Sequence, residues 1–304
     1  MRRRIVVAAI LTGALFGALA IPGTPFNRWL VDLLADSAPV PETGASAPVS
    51  QRLEAPVLRV AIGAMVSPER TFLDYRALFE TAARRAGRRL ELVQRRSYGE
   101  VNQLIITGSV DIAWVCTGAV AELASAHAAT LVAVPEVSGR TTYRSNLVVR
   151  QDSPVRLLAD LRGAVMAFTD SLSLTGRGVI IDEIGHLGAT PEAFFGHIFY
   201  THAHDRSIRA VRDGLATAAC VDSLVWDHLA RSSPAEIAGL RVVWTSADFP
   251  IPPLVAPVSA DKGLVGRLRE IFLALADDPA NWPALRGIGV DRFVPGDADL
   301  YFPK

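Results

Sequence analysis

From residue 57 onward the chain alternates short β-rich runs with stretches of helical apolar spacing, and few architectures accept that order. Residues 57–61 (VLRVA) open it, followed by residues 74–86 with Leu78, Phe79 and Ala82 on one side. Residues 90–93 predict a strand, and residues 98–106 a helix that stops at Gly108. Residues 111–115 (DIAWV) predict a buried strand that runs into Cys116-Thr117-Gly118. Residues 130–134 and 147–150 predict further strands. The pattern then restarts, with a strand at 164–168, a helix from about Ser173, a strand through 217–221 and a helix from Ser223. Alternation of this kind predicts mostly parallel pairing with helices on both faces. Its restart predicts two α/β lobes around a cleft, with no short solenoid repeat.

The segment before this body sets the compartment. Arg2, Arg3 and Arg4 precede an uncharged apolar run at residues 5–21, the anatomy of an export signal. Ala18-Leu19-Ala20 supplies a small-x-small cleavage pattern, and the run is also just long enough to remain as an anchor. Residues 1–21 are therefore expected to be a signal peptide or anchor, and residues 22–55, rich in Pro, Ala and Ser, a linker. Contact with the membrane is expected only through that N-terminal segment. Charge excludes another class of partner. With 31 basic and 31 acidic residues, the chain has no net field to hold a phosphate backbone, so no nucleic acid is expected. Two cysteines, Cys116 and Cys220, are too few for a disulfide scaffold and lack zinc-site spacing.

Among candidate sites, Phe168 to Gly176 (FTDSLSLTG) is the most informative. It follows a strand and opens a helix, where unpaired N–H groups and hydroxyls suit a tetrahedral oxyanion. The structural alternative is that Ser173 or Thr175 only caps the helix. His202 and His204 beside Asp205 suggest metal ligands, yet no third and fourth ligand sit at useful spacing, so no metal and no cofactor are expected. An imidazole donating to an anion is as plausible, with Asp205 or Ser207 capping the helix that follows. Asp222-Ser223, between a strand and a helix, reads as a cap or as a carboxylate in the cleft. No Walker loop, GxGxxG or G-x-S-x-G elbow occurs, and no triad order is recognisable, so neither nucleotide binding nor hydrolysis is supported.

Taken in order, these segments resemble one family. Tyr98-Gly99-Glu100, Gly108 to Trp114, Gly139 to Ser145, Asp160-Leu161-Arg162-Gly163, the Ser173 segment, His204-Asp205 and Val221-Asp222-Ser223 carry the likeness. The family is the phosphonate/phosphite-type periplasmic solute-binding proteins of ABC importers. The resemblance implies an α/β, two-lobed type II periplasmic binding protein fold: two mixed sheets with flanking helices around a ligand cleft, closing by hinge motion. It divides the chain into residues 56–140 and 246–304 as one lobe and 141–245 as the other. Carried over by position, the ligand contacts fall on Tyr98, Thr117, Tyr143, Ser173, Thr175, His204 and Asp222. Leu174 stands where the family often has a hydroxyl and offers only its backbone N–H. Asp222 repels an oxyanion unless a proton or an amine lies between them. Pro252 stands where binders of aminoalkyl phosphonates carry an acid, which favours phosphite, phosphate or a simple alkylphosphonate. Cys116, at a strand end facing the cleft, is a buried small hydrophobe, half of a disulfide with Cys220, or a thiol ligand for a soft oxyanion such as arsenite. Two non-enzymatic roles follow: delivery of a small oxyanion to an ABC permease and ATPase, or sensing that signals to a membrane histidine kinase.

Overall fold

The computed structural model describes residues 55–63 and 65–303, with residues 68–74 described by backbone alone. The expected export segment and the linker up to residue 54 lie outside the described residues. No helix among the described residues is long and apolar enough to cross a membrane.

The first lobe begins β1 (Val57–Ile62), α1 (Pro68–Arg85), β2 (Arg89–Gln94), α2 (Tyr98–Ile106), β3 (Ile112–Trp114), α3 (Thr117–Ser125) and β4 (Ala129–Glu136). Helix α2 starts at a full capping box: the Ser97 hydroxyl accepts from the Glu100 N–H, while Glu100 reaches back to the Ser97 N–H. The chain then crosses through β5 (Thr142–Tyr143) into the second lobe. That lobe holds β6 (Ser145–Arg150), β7 (Val165–Phe168), a single π-helical turn (Leu174–Gly178), α4 (Val179–His186), α5 (Pro191–Phe194) and β8 (His197–Tyr200). It continues with α6 (His204–Arg212), β9 (Ala218–Asp222), α7 (Ser223–Ser232) and β10 (Leu240–Thr245). The return crossing is β11 (Phe249–Pro250), and the first lobe is completed by β12 (Leu254–Pro257), α8 (Lys262–Leu273), α9 (Trp282–Gly287) and β13 (Arg292–Val294).

The first sheet has the order β13-β4-β12-β3-β1-β2 and the second β10-β6-β9-β7-β8. Pairing is parallel where strand, helix and strand follow one another, in β2-β1-β3 and β9-β7-β8. It is antiparallel elsewhere, so the mostly parallel pairing expected from alternation gives way to two mixed sheets. The cause is the return crossing: β12 comes back from the other lobe and inserts between β3 and β4, a placement no local pattern encodes.

Both faces of each sheet are covered. In β1, Leu58, Val60 and Ile62 pack into one apolar cluster and Ala61 into another, the period-2 division of a doubly covered strand. In β9, Ala219 and Val221 face one cluster while Ala218 and Cys220 face the other. Cys220 is thus a core residue, its thiol pushed up to about 12 by burial. Both cysteines are free, so the disulfide expected as one alternative does not form in this structure.

The two crossings lie side by side as an antiparallel ribbon, Tyr143 opposite Phe249 and Thr142 opposite Pro250. First-lobe donors fasten the return segment: Thr117 Oγ1 to the Pro250 carbonyl at 2.8 Å, Trp114 Nε1 to Pro252 at 2.9 Å and Tyr301 Oη to Ile251 at 2.7 Å. An Arg144–Asp248 ion pair adds an exposed clasp.

Candidate functional site

Strands β7 and β9 are parallel neighbours, so their carboxyl ends bring Thr169–Thr175 next to Asp222. The helix expected from Ser173 is instead one π-helical turn, after which α4 begins at Val179. Ser173 Oγ accepts from the Gly176 N–H at 3.0 Å, and there is no room for a side chain at Gly176: a Cβ would lie 2.5 Å from Thr169 Oγ1 and 2.8 Å from Ser173 Oγ. Thr175 is buried, its carbonyl held by Ser145 Oγ at 2.6 Å and its own hydroxyl oxygen without a partner.

His204 opens α6 with its ring fully buried. Its Nδ1 accepts from the Asp222 N–H at 3.1 Å, with Thr169 Oγ1 also 3.1 Å away. An accepting Nδ1 leaves the proton on Nε2, which is buried and has no partner. Burial holds the imidazole pKa down to about 3, so the ring is neutral and presents an N–H donor. Behind it, Thr169, Ser207 and Thr201 hydroxyls form a chain with Oγ···Oγ separations of 3.2 and 2.6 Å. Neither Asp205 nor Ser207 caps α6; the N-cap is Ala203, without a side-chain bond. The distance that separates Asp205 from its partner in sequence explains the failed expectation, as described below.

Asp222 is 3 % exposed and N-caps α7, its Oδ1 accepting from the Leu224 N–H at 2.7 Å. Burial pushes its pKa up to about 7 against the pull of the Leu224 and Val225 N–H groups. Tyr98, at the start of α2 in the first lobe, and Tyr143, in the crossing strand, are fully buried, and neither phenol oxygen has a partner. Burial, then the nearby Cys116 sulfur, raises both phenol pKa values, and Asp222 adds to each. Cys116 and Asp222 thus act electrostatically on both phenols. The Thr175 and Thr117 hydroxyls flank the Tyr143 phenol.

Cys116 stands at the N-cap of α3, where burial raises its thiol pKa and the Leu174 and Gly118 backbone N–H groups pull it back. So the structure gathers Tyr98, Tyr143, Thr175, His204, Asp222 and Cys116. It commits the Ser173 hydroxyl to the Gly176 N–H and the Thr117 hydroxyl to the Pro250 carbonyl. Among the described residues no group of three or more His, Cys, Asp or Glu side chains could hold a metal ion.

The lobes meet tightly around these groups. Asp170 of the second lobe accepts from the Tyr98 N–H at 3.1 Å, and Asp205 accepts from the Ser67 N–H at 2.9 Å. The His204 N–H donates to the Met65 carbonyl at 3.0 Å. Gly118 approaches the opposite loop so closely that a Cβ there would lie 2.3 Å from the Leu172 oxygen and 2.7 Å from the Leu174 nitrogen. Asp170, Asp205 and Gly118 have these roles only through partners far away in sequence. Two of the three were visible as members of hydrophilic segments, but nothing in their spacing names Tyr98 or Ser67.

Two mixed α/β sheets joined by a double crossing and closed over buried polar groups define a type II periplasmic binding protein. More specifically, this chain belongs to the ABC transporter phosphonate periplasmic substrate-binding protein family, whose profile matches residues 60–301. Solved structures agree on the fold. A binding protein component of an ABC phosphonate transporter from Pseudomonas aeruginosa superposes with a TM-score of 0.77 at 21% identity, over 82% of this chain and 84% of that one. A protein from Prochlorococcus marinus in complex with methylphosphonate gives 0.73 at 15% identity, over 81% and 94%. A chloride-bound protein from Xanthomonas citri gives 0.64 at 22% identity, over 79% and 92%.

Proposed function

We propose that this protein captures a small phosphorus oxyanion, of the phosphonate class, between its lobes and delivers it to an ABC permease and its ATPase. One observation carries the reading. Tyr98 Oη, Tyr143 Oη, Thr175 Oγ1 and His204 Nε2 are all buried in the closed cleft with no partner. Each unpaired buried polar atom costs about 1–3 kcal/mol, a penalty that a bound oxyanion removes by accepting from all of them. Three hydroxyls and one imidazole N–H form a neutral donor set, which suits an anion that keeps part of its charge. Asp222 then acts as the discriminating group. Near neutral pH it shares a proton with the ligand, because two anionic acids in contact cannot both be ionised.

The β5–β11 ribbon is the natural hinge, dividing residues 56–140 and 246–304 from residues 141–245. The protein works by binding and closure rather than by catalysis. Residues 1–21 direct its export to the periplasm. Isothermal calorimetry with methylphosphonate, phosphite, phosphate, 2-aminoethylphosphonate and arsenite tests the reading. Binding of a phosphorus anion that falls at least tenfold in Thr175→Ala and His204→Asn is expected. Binding of arsenite alone, lost in Cys116→Ser, would overturn it in favour of a thiol-based sensor.

A further inference from the structure

Asp222 also lines a second space between the lobes. Its walls include Tyr75, Trp114, Ile251 and Pro252 from the first lobe and Leu224 and Val225 from the second. Asp222 is the one carboxylate among its lining residues, and its backbone N–H is bonded to His204 Nδ1 of the donor group. The cavity measures about 60 Å³, roughly four times the ~15 Å³ that a single water needs. Its aromatic wall is rigid. Trp114 meets Tyr75 edge to face at 5.3 Å and Phe293 at 5.5 Å, and its indole N–H is already held by Pro252.

We infer that this cavity is a substituent subsite, and that the ligand is a phosphonate bearing a short uncharged alkyl group. The inference rests on the proposed oxyanion site and adds what lies on the other side of the P–C bond. With the oxygens turned to Tyr98, Tyr143, Thr175 and His204, the carbon substituent must leave away from these donors. The neighbouring space is lined mainly by carbon, and an apolar substituent gains there what it loses in water. An ammonium group in the same place would meet the Pro252 ring and the Ile251 and Val225 side chains. Its one carboxylate partner, Asp222, is already bonded to the first N–H groups of α7 and faces the oxyanion.

The experiment compares near-isosteres. n-Propylphosphonate and 2-aminoethylphosphonate differ at one terminal group, and methylphosphonate lacks the chain. Each buried methylene is worth about 0.8 kcal/mol, or about fourfold in affinity, so propyl is expected to bind more than tenfold tighter than methyl. It is also expected to bind tighter than aminoethyl. Ile288 also lines the cavity. Ile288→Trp fills the cavity and should bring the propyl-to-methyl ratio towards one. Methylphosphonate or aminoethylphosphonate binding as tightly as propyl overturns the subsite and leaves the oxyanion site standing. Failure of every phosphorus anion to bind overturns both.

Discussion

The two lobes bring different things to the cleft. The second brings side chains wired to one another: His204 fixed by the Asp222 N–H, Thr169 beside it, and Thr201 and Ser207 behind. The first brings backbone and one phenol: the N–H groups of Ser67 and Tyr98, the bare Cα of Gly118 and the Tyr98 hydroxyl. The wired site has its donor directions set within one lobe. The first lobe's part exists only when the lobes meet. Chemistry and closure are thus separable, and substitutions in the two lobes should fail in different ways.

The largest separation is expected at Gly118. A methyl group there collides with the backbone of Leu172 and Leu174, which cannot move aside as a side chain would. Overpacking of this kind costs about 1–3 kcal/mol, so Gly118→Ala should weaken ligand binding roughly tenfold to hundredfold. Because alanine is the better helix former by about 1 kcal/mol, the open protein should not lose thermal stability. Calorimetry with small-angle scattering checks this: the ligand-dependent fall in radius of gyration should be lost. Unchanged affinity together with normal compaction would show that closure does not bring these backbones together.

Within the second lobe, two buried groups oppose each other in pH. His204 is held at about 3 against an ordinary 6.5, so its share of stability is full above 6.5 and lost as pH falls towards 3. Asp222 is raised from 3.8 to about 7, so its share is full below 3.8 and lost as pH rises through 7. Between 3.8 and 6.5 the slopes have opposite sign, each at most about 1.4 kcal/mol per pH unit, and they nearly cancel. Urea unfolding of wild type against Asp222→Asn, which keeps the cap acceptor, should expose the His204 slope: the variant loses stability relative to wild type as pH falls. His204→Asn, which keeps an acceptor for the Asp222 N–H, should show the reverse. Parallel pH profiles in all three proteins would mean that neither group is perturbed.

How much of this was legible beforehand follows from what is local. Strand β1, helix α2 and strand β9 are written in periodicity and caps, and a short window reads them. The insertion of β12 between β3 and β4 is not, because its register is fixed by two strands that precede it by more than a hundred residues. Site residues divide in the same way. Thr175, His204 and Asp222 sit at strand-to-helix junctions, where polar residues attract notice. Asp205 looked like a helix cap because its acceptor role towards Ser67 spans 138 positions. The neutral tautomer of His204 is equally invisible, since it depends on the backbone of Asp222 arriving from another strand.

The finest test of the comparison lies inside the π-helical turn, between two hydroxyls two residues apart. Ser173 Oγ satisfies the Gly176 N–H, whereas Thr175 Oγ1 satisfies nothing in the ligand-free protein. Removing the first takes away a cap and should cost the fold about 0.5–2 kcal/mol. Replacing the second by a methyl group deletes an unpaired buried oxygen at nearly constant volume, so Thr175→Val should be neutral or stabilising by up to ~1 kcal/mol. Ligand binding should reverse the ranking, with Thr175→Val losing affinity about tenfold and Ser173→Ala losing less. Thermal melts with and without saturating phosphonate read both effects in one experiment. A Thr175→Val protein less stable than Ser173→Ala without ligand would mean that the Thr175 hydroxyl holds the turn together, and the distinction between supporting and presented hydroxyls would fall.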